Sequence, residues 1–346
     1  MSDPAPISRS PDLPVASLQG FRGPRLRAGV ASLLVCAGLV LPFALGGDRF
    51  LAFVLGISLI NVVWASGMNL LYGYVGLMPL MYAGIAGVAA YAMIELSRAH
   101  DWSFWLAMPG GALIGAAVGV LLGLPSLRLR GFYFTLCSLV IQTVLTLGFV
   151  YFRRFTNGDT GINQIAPPDL PHGQTLHGPG FEFALALFAI ASTALVALMV
   201  HRPIGRRFIA VREDEILAEA LGVPVVRTKI LAFFLASLYA GIGGCLYASY
   251  VGFVSPRSFD VLSSLSIWLF VAFGGRGSIL GPVLGVLVLS PIPYLLQDLQ
   301  AVRDVLTGAL VIVVTLVMPG GVYGALGSAL RRSFPRPAAA RTQRAP

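Results

Sequence analysis

Charge is scarce in this sequence of 346 residues. Charged side chains make up only 11% of the chain, whereas soluble proteins carry about 25%. Lysine is nearly absent: of the 24 basic residues, Lys229 is the one lysine and the others are arginine. Hydrophobic residues make up 56%. This composition excludes a soluble globular protein and a disordered chain, and so apolar a chain argues against a nucleic-acid surface despite the net charge of +9.

Several kinds of catalytic and binding motif are also missing. A nucleotide-binding P-loop needs G-x-x-x-x-G-K-[ST], and the only lysine does not follow such a run. The sequence has no H-E-x-x-H or G-x-S-x-G motif. The three cysteines stand alone in apolar runs, which excludes a C-x-x-C metal pair. We therefore predict neither an enzyme nor a metal site, and no nucleotide site in this chain.

Long apolar runs dominate what is present. A helix needs about 20 mostly apolar residues to cross a bilayer, and about ten such runs occur, so we predict an all-α, polytopic membrane bundle of about ten transmembrane helices. The predicted spans are Ala28–Leu45, Leu51–Leu71, Leu80–Leu96, Phe104–Leu124, Phe132–Phe152, Phe183–Val200, Ile230–Tyr250, Leu262–Phe273, Leu280–Leu296 and Val305–Met318.

Basic residues give this bundle an orientation. With the N-terminus in the cytoplasm, 18 of the 24 basic residues fall on cytoplasmic segments, as the positive-inside rule requires. We predict cytoplasmic termini, a disordered tail over residues 1–27, a transmembrane domain over 28–322 and a basic cytoplasmic tail over 323–346. A cleaved signal peptide with its apolar region near Val30–Leu45 is the alternative for the first run.

Small residues recur every fourth position in two spans. Helices in lipid associate through close backbone approach at such residues, and these rows are predicted to be packing seams rather than walls of a pathway. They are Gly111, Gly115, Gly119 and Gly123, and then Ala236, Ala240, Gly244 and Ala248.

Polar residues within spans are costly unless they face protein or water. Thr135, Ser138, Gln142 and Thr146 share one face of the fifth span, where they either join helices or line a polar route. Acidic residues are missing from mid-span positions, which argues against an ion-coupled carrier.

Two Gly/Pro-interrupted stretches, Gly73–Pro79 and Gly275–Pro282, are typical of discontinuous transporter helices, with tight turns as the alternative. We predict that a substrate pathway runs past the Gly73–Pro79 stretch and the polar face of the fifth span. The predicted pathway residues are Asn69, Gly73, Gly76, Pro79, Tyr82, Thr135, Ser138 and Gln142.

The segment 203–224 combines charge with an apolar stripe. Glu213, Asp214 and Glu215 suit the positive end of a helix, and Gly222 followed by Pro224 suits its end. We predict a single cytoplasmic amphipathic helix that inserts into a groove on a partner. The predicted coupling residues are Arg212, Glu213, Asp214, Glu215, Glu219, Ala220, Leu221 and Gly222.

With this segment, the sequence resembles the inner-membrane permeases of branched-chain amino acid ABC importers, of the LivM type. Several blocks carry the resemblance in the family's order: Asn69–Gly76, Leu127–Phe134, Pro203–Phe233, Val254–Phe259, Phe273–Pro282 and Met318–Val322. The resemblance implies a bacterial inner-membrane location, a second permease of the LivH type, two cytoplasmic subunits that bind ATP and Mg²⁺, and a periplasmic solute-binding protein. ATP-driven motion would then enter through the segment 203–224.

One block departs from the family. Where the family shows a polar Q-x-S-x-G-H run, this chain has the apolar run Leu77–Tyr82. This difference indicates a cargo that is larger or more hydrophobic than leucine, or simply a different solute. The alternatives are therefore a permease for urea, an amide or an aromatic or other organic acid, or an ATP-independent carrier. The outer segment keeps the family's polar character and is predicted to form a periplasmic entrance with Thr156, Asn157, Gly158, Asp159 and Gly161, unless it is an ordinary loop.

Overall fold

The computed structural model describes residues 48–129, 131–165, 167–168, 176 and 178–295. The first and tenth predicted spans, both chain termini and both predicted tails lie outside the described residues. The described chain is almost entirely helical.

Twelve α-helices follow one another in the described chain. The first seven are α1 (Arg49–Asn69), α2 (Tyr82–His100), α3 (Phe104–Gly123), α4 (Phe132–Tyr151), α5 (Arg153–Thr156), α6 (Pro179–His201) and α7 (Pro203–Glu213). The other five are α8 (Glu215–Ala220), α9 (Val225–Val251), α10 (Val261–Gly274), α11 (Gly281–Leu289) and α12 (Ile292–Leu295). Short 3₁₀ turns occur at Ser126–Arg128, Gly158–Thr160 and Pro256–Phe259, and the strands β1 (Ile162–Asn163) and β2 (Phe253–Val254) pair antiparallel.

Six helical stretches of the described chain are long and apolar enough to cross a bilayer: Arg49–Val75, Phe104–Gly123, Phe132–Tyr151, Pro179–His201, Val225–Val251 and Pro256–Gly274. Each overlaps a predicted span. The third predicted span forms α2, which is helical but falls outside this group. The ninth predicted span coincides with a shorter apolar helical stretch over Gly281–Leu295, in which α11 and α12 are separated at Ser290 and Pro291, where proline lacks a backbone donor.

Helices α2, α3 and α9 form the centre of the bundle through small residues. A Cβ added to Gly111 would lie 2.6 Å from the Ala89 carbonyl oxygen, and one added to Gly115 would lie 2.7 Å from the Ala89 Cβ. A Cβ on Gly244 would likewise meet the backbone of Ala86. These contacts bring backbones together where lipid provides little hydrophobic drive, which confirms the prediction of packing seams. We call α2, α3 and α9 the small-residue core.

Two helices are interrupted at the same end of the bundle. Helix α1 continues as a π-helical turn over Leu70–Val75 and stops at Gly76, whose φ of 84° is left-handed. Helix α10 stops at Gly274, and α11 begins at Gly281. Both Gly/Pro stretches singled out in the sequence thus break helices, and the structure places the breaks against each other and against the end of α7.

Candidate functional site: the helix interruptions and segment 203–224

The segment 203–224 folds into two helices. The predicted amphipathic helix with its acidic first turn corresponds to α8, and the sequence reasoning missed the separate helix α7 before it. Asp214 separates α7 from α8 in an extended conformation, with φ −158° and ψ 114°. Its carboxylate accepts hydrogen bonds from the backbone N–H groups of Ile216 at 2.8 Å and Leu217 at 3.0 Å. Aspartate favours this N-cap geometry over a helix interior. Glu213 therefore ends α7, and Glu215 begins α8.

Helix α8 ends where the sequence predicts. Gly222 is left-handed with φ 83°, and its N–H donates to the Glu219 carbonyl at 2.9 Å. The next N–H, of Val223, reaches back to the Ala218 carbonyl at 3.0 Å. These bonds satisfy carbonyl groups at the end of the helix, as glycine C-caps do.

An apolar patch faces outward on α8. Ile216, Leu217 and Leu221 are 64%, 57% and 76% exposed, whereas Ala218 is buried against the rest of the protein. We call these three exposed residues the docking patch. Glu219, Ala220 and Gly222 are also exposed. Adjacent exposed aliphatic side chains beside polar ones are typical of a surface that another protein covers.

Lys229 holds α8 to α9. Its ammonium lies 2.7 Å from the Glu215 carboxylate, and the two side chains are 3% and 22% exposed. A buried charge needs such a partner. The sequence reasoning missed this role of Lys229, although a lone lysine at the start of an apolar span, close to an acidic cluster, is a usable signal.

Arg212 connects α7 to the interruption of α1. One guanidinium nitrogen, Nη1, donates to the Gly73 carbonyl at 2.6 Å, and Nη2 lies 2.6 Å from the Glu213 carboxylate. A Cβ on Gly76 would lie 3.0 Å from the Arg212 Cγ. The arginine stem therefore packs against the turn that ends α1.

Asn69 connects the two interruptions to each other. Its side-chain oxygen accepts from the Gly277 N–H at 3.0 Å, while its Nδ2 donates to the Ser278 carbonyl at 2.9 Å. A Cβ on Gly73 would lie 2.6 Å from the Gly277 nitrogen, so only glycine permits this approach. We call Asn69, Gly73, Gly76, Arg212, Gly277 and Ser278 the helix junction. It joins residues predicted for the pathway with one predicted for coupling.

The remaining predicted pathway residues surround the start of α2. Ser138 Oγ accepts from the Leu80 N–H at 2.9 Å, and Gln142 Oε1 accepts from the Gly84 N–H at 2.8 Å. Ser264, which the sequence reasoning missed, accepts from the Ala83 N–H at 2.9 Å. First-turn N–H groups have no intrahelical partner, so these side chains satisfy a helix start buried in the bundle. Ser138 and Gln142 therefore join helices, which was one of the two alternatives for this stripe. Their role in lining a pathway stays a prediction.

Three other pathway residues have clear positions. Pro79 is buried in the connection between the π-helical turn and α2. The Tyr82 hydroxyl donates to the Trp64 carbonyl at 3.0 Å. Thr135 is partly buried, and its carbonyl accepts from the Ser138 hydroxyl at 2.7 Å.

The predicted entrance residues lie at the opposite end of the bundle. Buried Thr156 donates to the Phe149 carbonyl at 2.5 Å, and left-handed Asn157 donates from Nδ2 to the Gly161 carbonyl at 2.8 Å. Gly158 and Gly161 are buried, while Asp159 is exposed. The segment is a compact, internally bonded turn beside the β1–β2 pair, and its role as an entrance stays a prediction.

Within the described ranges, no three His, Cys, Asp or Glu side chains gather closely enough to hold a metal ion. The ionisable groups described above form ion pairs and caps instead.

The fold and this site define a multi-pass α-helical membrane protein whose interrupted helices meet a segment outside the bundle. The chain matches the family model "Branched-chain amino acid transport system / permease component" over residues 50–315 and belongs to that family. It is thus related to transport permease subunits of ABC importers, which confirms the resemblance seen in its motifs.

Similar proteins carry related names. The chain is 29% identical to the high-affinity branched-chain amino acid transport system permease protein LivM of Escherichia coli K12, over 77% of this chain and 68% of that protein. It is 23% identical to the permease protein LivH of Salmonella typhimurium, over 75% and 90%. It is 26% identical to the L-arabinose ABC transporter permease protein AraH of Azospirillum brasilense, over 88% and 89%. No solved structure gives a significant match.

Proposed function

We propose that this chain is one of two membrane-spanning subunits of an ATP-driven importer for branched-chain or related amino acids. The observation that carries the proposal is the docking patch, held outward on α8 by the Asp214 cap and the Lys229–Glu215 ion pair, in a chain of a transport permease family. A short amphipathic helix whose first turn is anchored in this way suits a groove on a partner.

The proposed arrangement has about ten spans with both termini in the cytoplasm of a bacterial cell, in its inner membrane. The transmembrane domain covers residues 28–322, between tails at 1–27 and 323–346. The segment 203–224 then lies in the cytoplasm, and the Thr156–Gly161 turn lies on the periplasmic side. The basic residues of the sequence support this orientation.

The proposed partners are a LivH-type permease, two cytoplasmic ATP-binding subunits and a periplasmic solute-binding protein, with lipid around the bundle. ATP and Mg²⁺ would bind to the cytoplasmic subunits, because this sequence has no P-loop. The solute-binding protein would deliver cargo at the turn that contains Asn157 and Asp159. Matches to both LivM and LivH support a pair of related permeases.

The cargo would pass near the helix junction and the apolar run Leu77–Tyr82. A second candidate is a permease for a different small solute, such as urea, an amide, an aromatic or other organic acid. The match to a protein named for L-arabinose transport favours keeping this candidate, since related chains are named for chemically different solutes.

Uptake by purified components tests the proposal. We expect proteoliposomes with both permeases, the ATP-binding subunits and the solute-binding protein to accumulate radiolabelled leucine only when ATP is present. Leucine uptake without ATP or without the partner subunits would contradict the proposal and favour an ATP-independent carrier. ATP-dependent uptake of urea, an aromatic acid or arabinose instead of leucine would favour the second candidate.

The docking surface has its own test. Replacing Glu219, Ala220 and Gly222 together is expected to abolish co-purification of the ATP-binding subunits and to leave the membrane bundle folded, because all three residues are exposed. Unchanged co-purification would contradict this placement of the interface. Arg206→Ala, an exposed change on α7, is the matched control.

A further inference from the structure

The Arg212 guanidinium occupies the point where three elements meet. It extends from the last turn of α7, lies 2.6 Å from the Gly73 carbonyl oxygen and is close to Gly277 of the α10–α11 turn. A Cβ on Gly277 in that turn would lie 3.0 Å from Arg212 Nη1 and 3.1 Å from the Gly73 oxygen. One side chain of the segment 203–224 thus touches both interrupted helices.

The Gly73 carbonyl needs an outside donor. It lies in the last turn before Gly76, where carbonyl groups have no intrahelical partner. The N–H of Leu77 turns back to the Leu71 carbonyl at 3.1 Å instead. A cation at the end of a helix is favourable because the last carbonyls carry partial negative charge. Arg212 supplies both the donor and the charge.

The two interruptions are linked as one unit. Asn69 binds both Gly277 and Ser278, and the backbone of Gly73 lies close to that of Gly277. A displacement applied at Gly73 therefore reaches α11 as well as α1. By contrast, the Lys229–Glu215 ion pair ties the same segment to α9 in the small-residue core.

We propose that Arg212 is the positioning residue that carries movement of the segment 203–224 to the paired helix interruptions, through its hydrogen bond to Gly73. This proposal rests on the proposed function and adds to it the contact that couples ATP hydrolysis to opening of the pathway. Loss of Arg212 should then reduce solute uptake while ATP hydrolysis continues.

The ratio of solute uptake to ATP hydrolysis tests the proposal in the complete reconstituted complex. With Arg212→Ala, we expect leucine accumulated per ATP hydrolysed to fall about tenfold, in the range of coupling between two sites. Co-purification of the ATP-binding subunits and the rate of ATP hydrolysis should stay near the wild-type values. Arg212→Lys keeps the charge but loses the fork that holds Gly73 and Glu213 together, so we expect a smaller loss.

Arg206→Ala removes an exposed arginine from the same helix and should leave the ratio unchanged. A wild-type ratio in Arg212→Ala overturns the proposal, and so does loss of the ATP-binding subunits, which would make Arg212 a docking contact. If the alanine variant does not fold, the lysine variant decides, and a wild-type ratio there overturns the proposal. A wild-type complex that captures no ATP-binding subunits or carries no leucine contradicts the proposed function instead.

Discussion

Glycine serves two different purposes in two regions of this bundle. In the small-residue core, Gly111, Gly115 and Gly244 let backbones touch. In the helix junction, Gly76 and Gly277 adopt left-handed conformations, and side chains hold the surrounding turns together. In the core, close backbone contacts recur along whole helices, whereas the junction has one close backbone approach, between Gly73 and Gly277, and a few hydrogen bonds.

This difference predicts that the core is rigid and that the junction moves. Backbone contacts between whole helices cannot shift without loss of dispersion attraction along their length. A hydrogen bond contributes a net stability of about 1 kcal/mol, or about 1.5 to 3 kcal/mol when one partner is charged, so a junction with few bonds to the rest of the bundle can move as one unit at a lower cost than the core. We infer that the junction moves against a core that stays fixed.

The largest expected effect comes from enlarging a core glycine. Gly244→Leu should prevent formation of the folded bundle, because even a Cβ there meets the Ala86 backbone. Overpacking in well-packed cores typically costs about 1 to 3 kcal/mol, and we expect this change to exceed that range. Size-exclusion chromatography of the purified protein in detergent measures the folded yield.

Gly148→Leu is the matched control on α4. A Cβ at Gly148 meets nothing within 4 Å, so this variant should give a wild-type yield. Equal yields for both variants would contradict the close packing of α9 on α2.

A smaller effect on stability is expected where the segment 203–224 joins the small-residue core. Glu215→Gln leaves Lys229 charged and buried, and removing one partner of a buried ion pair costs about 3 kcal/mol or more. The midpoint of thermal unfolding should fall clearly. Glu219→Gln on the same short helix is exposed and should leave the midpoint unchanged; a fall as large as that of Glu215→Gln would contradict the anchoring role of the ion pair.

The smallest effect is expected at the start of α2. Gln142→Leu removes the acceptor of the Gly84 N–H and the donor to the Phe259 carbonyl. An unsatisfied buried backbone group costs about 1 to 3 kcal/mol. Thr143→Val, one residue away and exposed, is the comparison. If the two variants have the same unfolding midpoint, Gln142 does not stabilise the helix start.

The sequence predicts the regular parts of this fold well. Apolar runs locate the long helices because the bilayer sets their length, and the four-residue spacing of small residues locates the core seams. Gly and Pro locate the interruptions at Gly76 and Gly275, since both residues disfavour continued helix.

Partners in the site could not be predicted in the same way. Asn69 and Gly277 are far apart in sequence, and no local sequence pattern indicates that they contact each other. The sequence pattern groups Arg212 with the predicted coupling residues because of its neighbours. In the structure, its guanidinium reaches Gly73. The acidic run Glu213–Glu215 predicts a helix start, which the Asp214 cap confirms, but the sequence reasoning did not predict the separate helix α7 before it.

A distance measurement tests the movable junction most directly. Spin labels at Arg276 in the α10–α11 turn and at Leu121 on α3, both exposed, report movement of the junction against the core after the native cysteines are replaced. Labels at Leu121 and Leu231 on α9 report the core alone. In the reconstituted complex, ATP binding should change the first distance and leave the second unchanged. An unchanged first distance, or equal changes in both, would contradict a junction that moves against a fixed core.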